Sequence, residues 1–248
     1  MTIRNIIDYT QRYRELPFEP IQLSYRRKCV LKEIAKACPK SLLEVGCGEL
    51  PLFLDINHSV DVRHTVVEPS VEFSQNASFL ANGRNDIRIV QGFIEDFDAH
   101  DEAFDMVVAS CVLHEVNNPQ VFLSSLRRLC TPGTTVHINV PNARSLHRLL
   151  AVAMGLISHE AIQSDTQQMM QQRSTVYNTI TLRAELERAG FLVIDSGSIF
   201  VKPFTHAQMQ KLVEIGFMTS EMLDGFDRLV EYLPDLGSEI WVNARCSP

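Results

Sequence analysis

The residues with the clearest chemical pattern are an acidic side chain and two glycines in the stretch Glu44-Val45-Gly46-Cys47-Gly48. The preceding Leu42 and Leu43 predict a short apolar strand, which places the glycines in a turn where the backbone can approach a ligand closely. A helix that begins after this turn would offer free N–H groups to a ligand rich in lone pairs. The pattern predicts a nucleotide-like cofactor, and an ordinary strand-to-helix turn is the alternative.

The glycine turn differs from a dinucleotide-binding turn at one position. A G-x-G-x-x-G turn has a third glycine that brings helix and strand together around a pyrophosphate. Pro51 stands at that position here, and proline is acceptable in the first turn of a helix because its missing N–H costs nothing there. The carboxylate of Glu44 would repel a pyrophosphate but would suit a cofactor that carries an ammonium group.

The spacing of Glu44, Gly46 and Gly48 resembles the first motif of the class I S-adenosylmethionine (SAM) methyltransferases. A second predicted strand ends at Glu68, followed by Pro69, twenty positions after Gly48. In a βαβ unit this acidic residue faces the ribose, and its carboxylate can accept both hydroxyl protons. The resemblance implies SAM as the cofactor.

Two further segments follow in the order that this family has. Arg88 to Asp96 predicts a third strand and a turn, and the resemblance implies that the turn flanks the adenine, with Glu95 or Asp96 near its amino group. Phe104 to Val116 resembles the fourth-strand motif, whose end lies next to the methionine part of SAM. The cofactor-binding residues predicted in this way are Tyr25, Arg26, Glu44, Gly46, Cys47, Gly48, Glu68, Pro69, Gly92, Phe93, Ile94, Ser110 and Cys111.

The segments that must position these residues alternate between strand and helix, which indicates an α/β fold. The resemblance implies a doubly wound, Rossmann-like sheet of seven strands with an antiparallel last strand. Phe191 to Val201 and Glu239 to Cys246 are the predicted sixth and seventh strands, and a helix from Leu182 to Ala189 precedes the sixth. We expect residues 1–38 to form a helical cap and residues 39–248 the SAM-binding domain.

Three segments outside the sheet are candidates for holding the acceptor. Pro17 and Pro20 predict two short helices in the cap, where Arg26 or Arg27 could pair with the methionine carboxylate or simply form a solvated basic face. The long connection over residues 142–178 predicts a lid with an apolar first half and a second half rich in glutamine and methionine. Residues 203–234 predict a helix pair that covers the acceptor or forms a dimer contact.

Catalysis of methyl transfer needs a base if the acceptor is a hydroxyl or a protonated amine. His114 is the leading candidate because it follows the fourth strand, and Glu115 could orient it or replace it. A structural role for His114 is the alternative. Asn139 and Tyr177 are predicted at the mouth or lid, where they would bind a polar acceptor or surround the sulfonium, Tyr177 by a cation–π contact.

Composition limits the possible partners. The net charge of −7 argues against a nucleic-acid substrate, because binding to phosphates needs clustered basic residues. The six cysteines form no C-x-x-C pair, so we expect free thiols in a reducing compartment and no metal. The absence of a long apolar run or leader pattern predicts a cytoplasmic protein with no membrane contact. A small-molecule acceptor and a possible homodimer complete the expectation.

Two other functions remain open from the sequence. The same fold could use SAM as a substrate, with the α-amine attacking the side-chain carbon as in azetidine-2-carboxylate synthases, and would then release methylthioadenosine. The chain could also be a non-catalytic SAM-binding subunit. Neither the acceptor nor the methylated atom, oxygen or nitrogen, follows from the sequence.

Overall fold

A seven-stranded sheet forms the centre of the computed structural model, which describes residues 6, 10, 16–56, 62–99, 102–162 and 175–247. The strands are β1 (Ser41–Val45), β2 (Arg63–Glu68), β3 (Ile87–Gln91), β4 (Phe104–Ser110), β5 (Cys130–Pro141), β6 (Phe191–Ile199) and β7 (Glu239–Cys246). Their order is β3-β2-β1-β4-β5-β7-β6, and β7 runs antiparallel to both of its neighbours. The predicted α/β sheet with an antiparallel last strand is confirmed.

Helices cover both faces of the sheet. In the described residues they are α1 (Glu19–Ala37), α2 (Val71–Ala81), α3 (Pro119–Arg128), α4 (Leu146–Ala153), α5 (Thr179–Arg188), α6 (His206–Glu214) and α7 (Ser220–Arg228). The main core packs α3 and α5 against one face. On the other face Val30 and Ile34 of α1 pack against Leu42, Met106 and Val108. Strands β1 and β4 are therefore buried on both sides, as parallel strands usually are.

The strand directions create an edge of the sheet where a ligand can bind. Strands β1, β2, β4, β5 and β6 run in the same direction, so their carboxyl ends meet at one edge. The chain order reverses between β1 and β4, and ligands of open α/β sheets bind in the crevice at such a switch point.

The N-terminal segment contains α1, one helix of 19 residues, which is longer than the short helix predicted after Pro20. Most of the segment before Pro17 lies outside the described residues. Pro20 lies in the first turn of α1, where a missing N–H breaks no hydrogen bond, so the proline starts the helix instead of interrupting it. The buried face of α1 includes the polar residues Glu19, Gln22 and Arg26. A buried polar face on a helix requires partners, and these lie at the site described below.

The connection after β5 contains α4 and only part of the predicted lid. The glutamine-rich half of that lid lies outside the described residues. In the apolar half, Ala151 and Ile157 line a cavity, while Met154 and Leu156 are exposed. Their apolar character therefore serves the cavity and the surface, and not the core. Across the described ranges, no helix has the length and apolar character needed to cross a membrane.

Candidate functional site

A cavity of about 840 Å³ opens at the carboxyl edge of the sheet. Its walls come from α1, the turn after β1, the ends of β2 and β4, the segment around α4, and the residues that follow β6. This volume lies towards the upper end of the range for ligand pockets. The cavity therefore has room for more than a compact cofactor.

The turn after β1 brings its backbone up to this cavity. Gly46 and Gly48 have φ angles of 76° and 58°, a region that favours glycine. A Cβ on Gly46 would lie 2.6 Å from Cγ2 of Val112, whereas a Cβ on Gly48 would meet no atom within 4 Å. The first glycine is thus required by packing, and the second leaves open space for a ligand.

The helix expected after this turn is not formed. Pro51 precedes a single 3-10 turn, Leu52–Leu54, because Leu50 before a proline is kept out of the helical conformation. The main-chain N–H of Leu52 donates to both carboxylate oxygens of Glu44, at 3.1 and 3.0 Å. Nε2 of His64 lies 3.1 Å from Oε2 of Glu44. Glu44 therefore fixes the turn through protein contacts while it lines the cavity.

Glu68 closes the same turn from the end of β2. Its Oε2 accepts the N–H groups of Cys47 (3.0 Å) and Gly48 (3.2 Å), and its Oε1 accepts that of Ser70 (2.8 Å). Burial raises the pKa of Glu68, and these three N–H donors oppose the shift. A carboxylate has about four acceptor positions. The weakly donating Cys47 thiol also hydrogen-bonds to Glu68, so a ribose hydroxyl would take the fourth position in place of this thiol. Glu68 and the adjacent Pro69 fit the predicted ribose site.

The turn after β3 forms one wall of the cavity. Phe93 is 44% exposed and lies beside buried Ile94 and half-buried Glu95. An exposed ring next to an aliphatic side chain suits a flat heterocycle such as adenine. Gly92 does not line the cavity; its N–H donates to the main-chain oxygen of Glu68 and so ties the turn to β2.

The end of β4 supplies Ser110, Cys111, His114 and Glu115 to the cavity. Cys111 has a φ of 56°, a strained value for a residue with a side chain, and strain of this kind is common at functional sites. Burial raises the pKa of its thiol, so the thiol stays protonated. Nε2 of His114 lies 3.6 Å from Oε1 of Glu115, and both side chains are buried. The structure thus brings His114, the predicted base, and Glu115, predicted to orient or replace it, together at the cavity.

Asn139 and Tyr177 lie behind the cavity wall rather than at its mouth, contrary to the prediction. Asn139 is buried near the carboxyl end of β5, and its Nδ2 donates to Oε2 of Glu239 at 3.0 Å. The ring of Tyr177 packs into the main core because its backbone pairs with Asn142 beside β5. Sequence position alone placed both residues near the lid, but strand pairing turns them inward.

Arg26 reaches the cavity from α1 but already has two carboxylate partners. Its Nε and Nη2 donate to Glu239 at 2.9 and 2.6 Å, and Nη2 also donates to Glu19 at 3.0 Å. Tyr25 does not line the cavity; its hydroxyl donates to Asp224 at 3.0 Å, and its ring packs on Phe200. Arg26 therefore links the cap to β7, and Tyr25 links it to the helix pair.

Sequence reasoning missed a group of polar side chains on the side of the cavity formed by α1, α4 and β6. We call this group the distal polar cluster; its members are Gln22, His147, Lys202 and His206. Gln22 comes from α1, His147 from α4, Lys202 from the residues after β6, and His206 from the start of α6. Because they are separated by up to 184 positions, no local pattern in the sequence joins them. Among the described residues, no set of three or more His, Cys, Asp or Glu is arranged to hold a metal ion.

A family model described as a methyltransferase domain matches residues 21–196 of the chain. No sequence among the curated proteins matches it. Solved structures with the same fold are similar over most of their length, although their sequence identity is low.

One such structure is a chain in the complex between the Haloferax volcanii Trm112 methyltransferase activator and a methyltransferase, with a TM-score of 0.65, 14% identity and 100% of both chains covered. The plantazolicin methyltransferase BamL, in complex with a desmethyl-plantazolicin analog and S-adenosylhomocysteine, has a TM-score of 0.62 and 14% identity, with 97% of this chain and 90% of that chain covered. The N-methyltransferase NodS from Bradyrhizobium japonicum, also with S-adenosylhomocysteine, has a TM-score of 0.56 and 11% identity, with 92% and 89% covered.

Proposed function

Because this chain belongs to the class I SAM-dependent methyltransferase family, we propose that it transfers the methyl group of SAM to an oxygen or nitrogen of a small polar metabolite. The observation that carries the proposal is the cavity, in which the cofactor-type turn and the distal polar cluster share one volume. A SAM-binding subunit without catalysis would need no second polar region in that cavity.

The residues at the cofactor end have separate roles in this proposal. Glu68 accepts a ribose hydroxyl at its fourth acceptor position, and Phe93 packs against the adenine with Ile94. Gly48 allows the ligand to approach the main chain because no side chain occupies that space. Bound SAM supplies a methyl group that is already electrophilic, so the protein has mainly to align the acceptor with it.

His114 is the proposed general base. It lies at the end of β4 on the cavity wall, and Glu115 beside it stabilises the charged imidazolium after the proton is accepted. Asn139 acts indirectly, because it orients Glu239 and hence Arg26. Tyr177 holds the backbone of Asn142 at the cavity edge.

The proposed function also includes a domain organisation, a cellular location and an assembly for this chain. Residues 1–38 act as a cap over a SAM-binding domain formed by residues 39–248, with residues 142–178 as a lid and residues 203–234 as a helical insertion. The protein works in the cytoplasm on a small molecule, without nucleic acid or membrane, and a homodimer is a possible assembly. Light scattering on the purified chain tests the homodimer.

Incubation with SAM, first alone and then with metabolite fractions, tests the function. We expect S-adenosylhomocysteine to form only when an acceptor fraction is present, together with a product that has gained 14 Da. Methylthioadenosine formed from SAM alone would instead identify cyclisation of SAM. If SAM binds tightly but no fraction yields either product, the non-catalytic subunit becomes the better description.

A further inference from the structure

We propose that the acceptor carries a carboxylate group and that Lys202, in the distal polar cluster, binds this group. The proposal rests on the methyl-transfer function above, because it makes Lys202 a residue that holds the substrate and not the cofactor. It names the chemical class of the acceptor, which neither the sequence nor the similar structures define.

Lys202 is a buried cation with no direct partner in the described part of the chain. It follows β6, its relative exposure is 2%, and it lines the cavity. In these ranges its ammonium makes no hydrogen bond and no ion pair, although Glu19 and Glu239 lie close enough to favour its charge. Both of those carboxylates bind Arg26 directly. A buried ammonium without acceptors is costly, and a ligand oxyanion would supply them.

Gln22 supplies a second unpartnered group at the same cavity. It is 1% exposed, and neither its Nε2 nor its Oε1 has a hydrogen-bond partner among the described residues. Gln22 lies on α1 between Glu19 and Arg26, one turn from each, and both of these residues influence the charge of Lys202. The amide donors of Gln22 and the ammonium of Lys202 therefore belong to one region of the cavity.

Two histidines complete the donor set. The Nδ1 atom of His147 and the Nε2 atom of His206 are buried and have no partner among the described residues. Burial lowers the pKa of His206 to about 3 and that of His147 well below its usual value. Both rings are thus neutral near pH 7, and each has one N–H whose position follows the hydrogen bond offered to it. Such a set of donors suits a carboxylate.

The charges around Lys202 favour a ligand with one negative charge. The charged and titratable groups that face it are Glu19 and Arg26 on α1, Glu239 on β7, His147 on α4 and His206 on α6. Arg26 and Lys202 together balance the two carboxylates, so the region is neutral when Lys202 is protonated. A carboxylate adds one charge, whereas a phosphate monoester would add nearly two beside Glu19 and Glu239.

The position of Lys202 separates it from the cofactor turn. Four strand-to-strand steps lead from β1 through β4, β5 and β7 to β6, which is about 19 Å at roughly 4.8 Å per step. The glycine turn follows β1, and Lys202 follows β6 at the same edge of the sheet. The cavity therefore extends across four strand spacings, and Lys202 lines it on the side away from the glycine turn.

The test is affinity selection with the full chain saturated with S-adenosylhomocysteine. The probes are three matched libraries: hydroxy- and amino-carboxylic acids, their primary amides, and phosphate monoesters of similar size. Mass spectrometry identifies the compounds that the protein retains. We expect carboxylic acids to be retained at least about tenfold better than their amides, as for a hydrogen bond to a charged group.

The variant Lys202→Met removes the ammonium and keeps an unbranched side chain of similar length, and Lys211→Met on the exposed face of α6 is the matched control. We expect Lys202→Met to lose the preference for acids, whereas Lys211→Met keeps it, and both should bind S-adenosylhomocysteine like the unchanged protein.

The pH dependence of retention is a second test. Burial lowers the pKa of Lys202 to about 7. Retention of acids by the unchanged protein should therefore weaken as the pH rises above 7, and a merely structural lysine would not produce this profile.

Each other outcome overturns the proposal in a recognisable way. Equal retention of acids and amides, or preference for phosphate esters, would contradict the carboxylate. Loss of S-adenosylhomocysteine binding in Lys202→Met would assign the lysine to the cofactor. Because retention does not require turnover, a protein that selects acids but forms no methylated product would contradict the methyl-transfer function alone.

Discussion

At the scale of single residues, Glu68 has one observed role in the fold and one proposed role in cofactor binding, and the two can be measured separately. It accepts three main-chain N–H groups and so holds the turn, and in the proposed function it also accepts a ribose hydroxyl. A side chain that serves both the fold and the ligand should show losses in both when it is changed.

We expect Glu68→Gln to weaken SAM binding by about 1.5–3 kcal/mol, because the amide loses one charged acceptor oxygen. The melting temperature should fall as well, since one of the turn N–H groups would face an amide NH₂ group. Calorimetric titration with SAM measures the first effect, and Glu102→Gln, which removes only surface ion pairs, is the control. SAM affinity equal to that of the unchanged protein would exclude Glu68 from the ribose site.

As the proposed general base, His114 should contribute to the chemistry and not to the binding of SAM. We expect His114→Asn to lower kcat by about 10²- to 10⁴-fold while the Kd for SAM stays the same, because a general base contributes in this range. His159→Asn changes an exposed histidine and should leave kcat unaltered. A His114→Asn enzyme with normal kcat would assign His114 to a structural role.

At the scale of elements, the turn after β1 contains a pair of glycines with different reasons for being glycine. Gly46→Ala combines a strained φ with a contact of 2.6 Å to Val112, so it should lower the free energy of unfolding by about 2–4 kcal/mol. Gly48→Ala should cost only about 1–2 kcal/mol, because its Cβ meets no atom of the protein. Urea denaturation measures both values.

The two variants should differ in the quantity that they lose. Gly46→Ala should mainly lose stability, whereas Gly48→Ala should mainly lose affinity for SAM. The new methyl group of Gly48→Ala occupies the space reserved for the cofactor, so its SAM affinity should fall by more than its stability does. Combining Gly46→Ala with Val112→Ala should restore part of the stability, because the close contact disappears. If the double variant is no more stable than Gly46→Ala, the contact with Val112 is not the cause.

The elements that could be predicted from the sequence are those built from neighbouring residues. The strand before Gly46, the acidic end of β2 and the turn at Phe93 are local patterns, and each lies where it was expected. The helix predicted directly after the turn was wrong, because Leu52–Leu54 forms a 3-10 turn there. The helix predicted after Pro20 is longer than expected, because Pro20 lies in the first turn of α1 and does not interrupt it. A proline in the sequence indicates a helix boundary, but it does not show whether the helix lies before or after it.

At the scale of the whole molecule, contacts between distant residues decide what local patterns cannot. Arg26 and Glu239 are 213 positions apart and form a buried ion pair. The insertion of β7 between β5 and β6 places Glu239 at the carboxyl edge, next to the start of the helix pair. Gln22 and Lys202 line one cavity for the same reason, so the distal polar cluster could not be predicted before the strand order was known.

The same buried groups make the stability of the whole chain depend on pH. Burial lowers the pKa of His137, His147 and His206, so these rings stay neutral in the folded chain while unfolded imidazoles titrate near 6.5. Below that pH the unfolded chain binds more protons, and the folded state loses stability as the pH falls. A ring that is still neutral at pH 5 costs about 2 kcal/mol there. Glu68 and Glu95, whose pKa values are raised by burial, oppose this trend.

Lys202 extends the dependence to alkaline pH. Its pKa is about 7 in the folded chain and near the ordinary value when unfolded, so the unfolded chain binds more protons between these values. Stability should therefore rise with pH between 7 and 8 as well. Above about pH 8 the trend reverses, because burial raises the pKa of the Cys29, Cys47, Cys111 and Cys130 thiols and unfolded thiols lose their protons near 8.5. We expect the urea midpoint to increase from pH 5 to pH 8, with Lys202→Met flattening the part above pH 7 and His206→Gln reducing the part below 6.5. An alkaline rise of the same size in Lys202→Met would show that this lysine is not the group responsible.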